Sequence, residues 1–495
     1  MQAPHIDPTP ANVICLRPCF PYTAARLGCG RAHWRLIAVL GLLLAACAAA
    51  AWLYKGYQDL GRTPMQIFDY IDRRLLGHPK LEMVAHPVMD MARTALHAPS
   101  AEERLRRPMA IAPPPPRRKR GETLPVATDP PGARIWRVGP DGPLLRIADA
   151  ARLARDGDVV EIEAGDYRQD VAVWPQKRLT IRGVNGAARL YADGRVAEGK
   201  AIWVLRNGDF DIANIDFIGA TAHDQNGAGI RFEGGKLRIR GCLFWGNQVG
   251  LLTGGHKTMA DATLTVEQSE FAYSRVLGRW AHNLYVGSID TLTVRDSYFH
   301  HAGVGHLIKS RARRNAILYN RLTDEPGGRA SYELEFPNGG ESIVVGNLIQ
   351  QQVGTENGTI VSMGAEGYKW PTNALYLASN TIVNDHPHGG AFLVVARGAD
   401  RVLSANNLLV GRATLRVDAA LERWGDQQVD WSALIRPSRF DYRLRQPGPD
   451  LAYRPLADPG LASRLQPQRE YQHSGNSQPL AGAPRWVGAM QRTDD

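Results

Sequence analysis

Between residues 170 and 410, short apolar runs alternate with clusters of Gly, Asn, Asp and Ser, the pattern expected of strands joined by tight turns. Val171–Trp174, Leu179–Gly183, Phe210–Ile212, Leu237–Ile239, Leu264–Val266, Leu292–Val294, Ile343–Val345 and Leu375–Leu377 each read as a strand. A second register runs through the same region. Asn320, Asn347, Asn380 and Asn407 each stand two residues before an apolar residue, namely Leu322, Ile349, Ile382 and Leu409. Earlier, Ile215, Cys242, Ser269 and Ser297 hold the same slot ahead of Phe217, Phe244, Phe271 and Phe299. Counted through the apolar member, successive steps are 27, 27, 28, 23, 27, 33 and 27 residues. Repeats of this length predict a solenoid of about nine coils, each covering the apolar face of its neighbour. The recurring asparagine has a physical reason. A buried carboxamide without partners costs about 1–3 kcal/mol, whereas stacked copies satisfy one another at every rung.

Ahead of the repeats, Leu145–Arg155 reads as a short amphipathic helix. It is followed by Asp156-Gly157-Asp158-Val159-Val160-Glu161-Ile162, Ala164-Gly165-Asp166-Tyr167 and Leu179-Thr180-Ile181-Arg182-Gly183. This run resembles the opening of right-handed parallel β-helix proteins of the pectate-lyase-like superfamily. The resemblance implies an all-β chain, with residues 133–410 forming a right-handed parallel β-helix and the helix capping its first coil. It also implies that residues 411–495, with FDYRL at 440–444 and AGAPRWVGA at 481–489, cap the solenoid or pack along it. The superfamily hosts lyases, epimerases, hydrolases and inert binders, so function rests on the site.

Leu36–Tyr54 is nineteen residues without a charge, long enough for a transmembrane anchor. Arg17, Arg26, Arg31 and Arg35 precede it, which places residues 1–35 in the cytoplasm and the main domain in the periplasm of a bacterial inner-membrane protein. Leu44-Ala45-Ala46-Cys47 offers a rival, a lipoprotein anchored at Cys47. Residues 55–107 read as a helical stalk, with Ile67, Tyr70, Ile71 and Leu75 at helix spacing, then Val88, Met91, Ala92 and Leu96, and interruptions at Pro79 and Pro87. Residues 108–132, with Pro113–Pro116 and Arg117–Arg120, read as a semi-rigid linker whose basic run is solvated, with contact to anionic lipid or polymer as the alternative. Cys15, Cys19, Cys29 and His33 form a weak zinc pattern, and Cys242 stands alone in the repeats, which excludes a disulfide there. Lys and Arg number 59 against 49 Asp and Glu, a net charge of +10, which favours a polyanionic partner. Zinc-finger spacing in the main domain and RRM signatures are both missing, so nucleic acid is not expected.

Three neighbouring coils carry polar groups inside strands: His282–Val286, His306–Arg311 and Tyr332–Gly340. With Leu284, Ile308 and Leu334 pointing inward, alternation places Tyr285, Lys309 and Glu335 in one outward column. Asn283 and Glu333 share the neighbouring column, Arg311 lies one step beyond Lys309, and the next coil adds Ser362 and Glu366. Proton abstraction beside a uronate carboxylate needs cations to neutralise that carboxylate and a base to take the proton. Lys309 and Arg311 suit the first task; Tyr285, His306 or a depressed lysine suits the second. A glycosidase would instead use two of Glu333, Glu335 and Glu366. The catalytic candidates are therefore Tyr285, His306, Lys309, Arg311, Glu333 and Glu335. Asn283, His282, Asn338, Glu366, Trp280 and Trp370 are candidates for substrate binding. The bland reading is a surface Lys309–Glu335 ion pair, with His282 and His306 as inward core residues. Trp245 also lies on a turn where a sugar ring could stack. No cofactor or metal is assigned; the resemblance to pectate lyases makes Ca²⁺ the one candidate, with Asp211, Asn214, Asp216, Asp224 and Asn226 as oxygen donors. Asn384-Asp385-His386-Pro387-His388 resembles the Asp-Pro-His-Asp element of alginate epimerases in a different order and is read as a turn. The expected partner is an acidic polysaccharide, met by a lyase or an epimerase; the alternative is a glycan-binding solenoid without catalysis.

Overall fold

The computed structural model describes residues 79–95, 109–125, 128–254, 259–275, 281–355, 357–386 and 389–492. The proposed anchor Leu36–Tyr54, the zinc pattern, the Cys47 box, Trp280, Pro387 and His388 lie outside the described residues. Among the described residues no helix is long and apolar enough to cross a membrane.

The repeats build an all-β parallel solenoid of the right-handed β-helix type. Each coil lays one strand on each of three rows. The first two rows merge into a 21-stranded sheet, and the third is a 10-stranded sheet. That makes ten coils where the repeat count predicts about nine, because Ala172–Trp174 and Thr414–Val417 complete the third row at its two ends. The register follows the sequence residue for residue. Phe217, Phe244, Phe271, Phe299, Leu322, Ile349, Ile382 and Leu409 pair in succession along the second row. The four phenylalanine rings stack inside, with centroids 5.0, 4.3 and 4.7 Å apart; each such pair adds about 0.5–1.5 kcal/mol beyond its area.

The asparagine ladder occupies the corner between the first and second rows. The Asn320 amide donates to Asn347 Oδ1 at 3.0 Å, Asn347 to Asn380 at 2.9 Å, and Asn380 to Asn407 at 3.0 Å. Asp426 accepts from Asn407 at 3.0 Å and closes the series. Each ladder residue follows a residue at positive φ, including Tyr319 (55°), Gly346 (69°), Ser379 (52°) and Asn406 (54°). A left-handed residue costs about 1–2 kcal/mol when it is not glycine, and the side-chain bonds hold three such residues there.

The predicted capping helix forms over Ile147–Leu153 and buries Ile147, Ala150 and Ala151 against the first coils. Its free amides at Ile147 and Ala148 are taken by Asp170 at 2.6 and 3.0 Å, which offsets unsatisfied donors at a helix start. In the expected stalk region, a helix runs from Pro79 to Ala95. Pro79 starts it rather than interrupting it, since a first-turn residue needs no donor, and Pro87 lies within it.

Two segments lie on the second row. Residues 109–125 do not stand free as a solvated spacer. Arg275 and Trp245 bond to Met109 O and Ala112 O at 3.0 and 2.8 Å, and Arg118 reaches the fully buried Asp216 at 2.6 Å. Within residues 411–495, Thr414–Val417, Leu421–Trp424 and Gln427–Val429 form the last coil, so the solenoid runs past residue 410, and the rest packs along the first and second rows. Leu434, Tyr442, Leu444, Tyr471, Val487 and Ala489 cluster with Leu348, Val383, Leu408 and Val410. Among the described residues, the apolar clusters of residues 109–125 and 430–492 join first- and second-row residues and not the third row.

Candidate functional site

Tyr285, Lys309, Glu335 and Ser362 pair in register on successive strands of the third row, while Leu284, Ile308, Leu334 and Val361 pair beneath them. The predicted column is therefore real. Lys309 Nζ sits 3.0 Å from Glu335 Oε2 and 2.9 Å from Glu366 Oε1. Arg311 grips the same Glu366 carboxylate with both arms, Nη1 to Oε2 at 2.7 Å and Nη2 to Oε1 at 3.1 Å. Its Nε donates to the Tyr285 hydroxyl at 3.2 Å, and Nη1 also donates to Asn338 Oδ1.

This is no ordinary surface ion pair. The side chains of Lys309, Glu335 and Arg311 are 11%, 4% and 14% exposed, whereas Glu366 is 43% exposed. Charges so far removed from water must be paired to persist. Burial pushes the Glu335 carboxyl up, with Lys309 opposing. Burial also opposes ionisation of Glu366, but hydrogen bonds from Arg311 and Lys309 outweigh it and bring its pKa to about 2. One acid is pushed toward its neutral form and the other is held ionised.

His282 and His306 are not core residues. Their rings stack at 4.7 Å on the outer side, His282 lies 5.1 Å from Tyr285, and His306 Nδ1 is 3.5 Å from Glu335 Oε2. The backbone N–H of His306 donates to His282 Nδ1 at 3.1 Å, which leaves the His282 proton on Nε2. Burial, then Lys309 and Arg311, lower His282 to about 3, and burial likewise takes His306 well below its ordinary value. Both imidazoles are neutral.

Asn283 and Glu333 are corrections in the other direction. Both lie inside third-row strands, yet strict alternation fails because two successive residues are buried on each rung, Asn283–Leu284, Leu307–Ile308 and Glu333–Leu334. Asn283 is fully buried and donates to Phe271 O and His300 O at 3.1 and 2.8 Å. Glu333 is fully buried, neither carboxyl oxygen has a hydrogen-bond partner, and burial followed by repulsion from Asp324 pushes its pKa well up. It is an interior acid, separate from the outward cluster.

Turns hold the site. Arg311 begins a three-residue turn whose carbonyl accepts from Trp370 Nε1 at 3.0 Å. Inside that turn Ser310, Asn315 and Ser342 form a buried chain, Ser310 Oγ to Asn315 at 2.6 Å and Asn315 to Ser342 at 3.1 Å. The inward apolar pattern breaks at Asn315 and Ser342, a signal that sequence reasoning passed over. Trp370 thus braces Arg311 through its backbone. Trp245 packs on Tyr273 at 4.6 Å, and its Nε1 donates to Ala112 O within residues 109–125.

The candidate calcium donors do not converge. Asp211 pairs with Arg240, Asp216 with Arg118 and Arg189, Asn214 bonds the Leu124 backbone, and Asp224 with Asn226 closes an exposed turn. Asp385 accepts from Gln350 beside the second row, and burial raises it to about 6. Sequence reasoning also missed a cluster on the second row. There His300 meets Glu270 at 3.1 Å, and Tyr298 meets Glu325 at 2.8 Å.

These features define a parallel β-solenoid with a charged site on its third row. No family model matches the chain, and no curated protein matches it. Among solved structures it is similar in fold to pectate lyase Pel9A, with 11% identity, 72% of this chain and 96% of that chain covered, and a TM-score of 0.46. It is also similar to the pectin methylesterase from Aspergillus niger, with 15% identity, 61% and 87% covered, and a TM-score of 0.25. These likenesses concern the path of the chain alone.

Proposed function

We propose that the protein acts on an acidic, uronate-containing polysaccharide by removing the proton next to the carboxylate, at the periplasmic face of a membrane entered by Leu36–Tyr54. The observation that carries this reading is the bidentate seat on Arg311, completed by Lys309, already filled by a carboxylate. Two cations on a uronate carboxylate stabilise the negative charge that develops as the adjacent C5 proton leaves. Tyr285, acting as its phenolate with Arg311 Nε donating to its oxygen, is the base best placed to take the proton and become the neutral phenol, and it is less buried than His306. The electron pair left on C5 then forms a double bond to C4 as the C4–O bond breaks and the leaving oxygen takes a proton, which is elimination. Alternatively C5 regains a proton from the opposite face, which is epimerisation. Glu335 holds Lys309 in line and faces His306.

The opposed pKa shifts of Glu335 and Glu366 favour a second reading, retaining hydrolysis, which needs one protonated and one ionised carboxyl about 5–5.5 Å apart. Both carboxylates touch the same ammonium, so Lys309 stands where the anomeric carbon would have to enter, and the first reading is preferred. The test uses the full-length chain with polygalacturonate, alginate and other uronate polymers. Elimination gives ultraviolet absorbance from an unsaturated uronate, and epimerisation gives solvent deuterium at C5. Binding without either signal, unchanged in Lys309→Ala, would establish a non-catalytic glycan binder, and new reducing ends without unsaturation would establish hydrolysis.

A further inference from the structure

The carboxylate seat is occupied by the protein itself. Glu366 sits on a turn between Gly364 and Gly367, whose φ angles are 80° and 81°. Its backbone is fixed, with Glu366 N bonded to Pro337 O at 2.9 Å and Gly367 O accepting from Asn338 at 3.0 Å. Only its side chain reaches across to Arg311 and Lys309, and that side chain is the most exposed of the four charged groups. If the Glu366 carboxylate swings away, Lys309 keeps Glu335 and Arg311 keeps Tyr285 and Asn338. What is left open is one planar fork and one ammonium donor, the complement of a single free carboxylate.

We infer that Glu366 is an internal stand-in for the substrate's carboxylate, displaced on binding, so that the site admits unesterified uronate and rejects its methyl ester. The inference rests on the uronate reading of this site and adds its selectivity and its resting state. An ester carries no charge and has one oxygen blocked, so it cannot fill a two-armed fork. A free carboxylate matches the group it replaces. Displacement also sets a cost, because apparent affinity falls by the fraction of time the seat is taken.

Calorimetric titration of the full-length chain tests this with an unesterified oligogalacturonate, its fully methyl-esterified counterpart and acetate. Glu366→Gln keeps the shape and removes the competing charge. It is expected to bind the free acid roughly tenfold more tightly than the native chain, as for a competitor that fills the seat nine-tenths of the time. Glu366→Asp, too short to span, is expected to tighten binding as well, acetate to bind weakly, and the ester to leave all three proteins silent. Equal affinity of Glu366→Gln and the native chain for the free acid, or equal binding of acid and ester, would overturn the inference. Tighter binding by Glu366→Gln with no unsaturated product and no deuterium exchange would leave the stand-in intact and remove the catalytic reading. Product formation with an unchanged KM in Glu366→Gln would do the reverse.

Discussion

Replacing Asn347 by leucine tests whether the ladder holds the coils in register. Asn347 is fully buried, and its Oδ1 is the acceptor for the Asn320 backbone N–H at 2.8 Å and for the Asn320 amide at 3.0 Å. Its own amide donates to Ile317 O at 2.8 Å and to Asn380 Oδ1 at 2.9 Å. Leucine keeps the same branched four-atom skeleton, with two methyl groups in place of the amide oxygen and nitrogen, so the main loss is polar. The Asn320 N–H is left in the core without its acceptor, at about 1–3 kcal/mol. The Asn320 amide still has Val294 O, and Asn380 Oδ1 still accepts from the residue 347 backbone. The lost bonds to Ile317 and between neighbouring amides contribute about 1 kcal/mol each. With three such bonds lost, the expected destabilisation is about 4–6 kcal/mol. Urea unfolding of the full-length chain by circular dichroism measures it, and hydrogen exchange should show the new openness at Asn320 and Asn380 first, since a solenoid loosens locally. Asn226→Leu on an exposed turn is the control, expected within about 0.5 kcal/mol of the native chain. A change below about 1 kcal/mol in Asn347→Leu, with exchange unaltered at both neighbours, would refute the claim that the ladder fastens the corner.

Lys309→Ala should remove product formation entirely in the absorbance and exchange assays, and Trp370→Phe should lower kcat while keeping the fold, because it releases the Arg311 carbonyl without touching substrate. The neutral imidazoles set a pH dependence. Their folded values lie below the unfolded value of about 6.5, so the unfolded chain binds more protons between that value and the folded one, which is about 3 for His282, and stability falls as pH drops through that window. Melting temperatures measured from pH 7 to pH 4 should fall less steeply in His282→Gln than in the native chain. Asp216→Ala strands Arg118 and Arg189 beside a buried gap and should cost about 3–5 kcal/mol, with residues 109–125 becoming the first site of limited proteolysis.

The coil period, the strand register and the column Tyr285–Lys309–Glu335 were legible because each depends on spacing along the chain alone. Two-residue alternation carried the column correctly wherever the strand was straight. It failed at Asn283 and Glu333, where two successive residues face inside on each rung, a break that no local pattern announces, and for the same reason it misassigned His282 and His306. The gripping of Glu366 by Arg311 joins residues 55 apart through turns of unequal length, and turn length is invisible to a count of strands. The resting place of residues 109–125 was hidden too, because a basic run reads as solvated until its partner, the buried Asp216, is found on a coil about a hundred residues away. Asp426 as the last rung escaped notice because it lies where the repeat fades and carries a carboxylate in place of an amide.

The acid, the ammonium and the phenol hang from consecutive rungs, so their separations are inherited from the main-chain spacing of a parallel sheet, about 4.8 Å. No loop movement can widen that gap without unzipping hydrogen bonds on both sides of it. The bordering turns are therefore free to lengthen, shorten or change charge, while the spacing of Tyr285, Lys309 and Glu335 stays ruled by the backbone like notes on a stave.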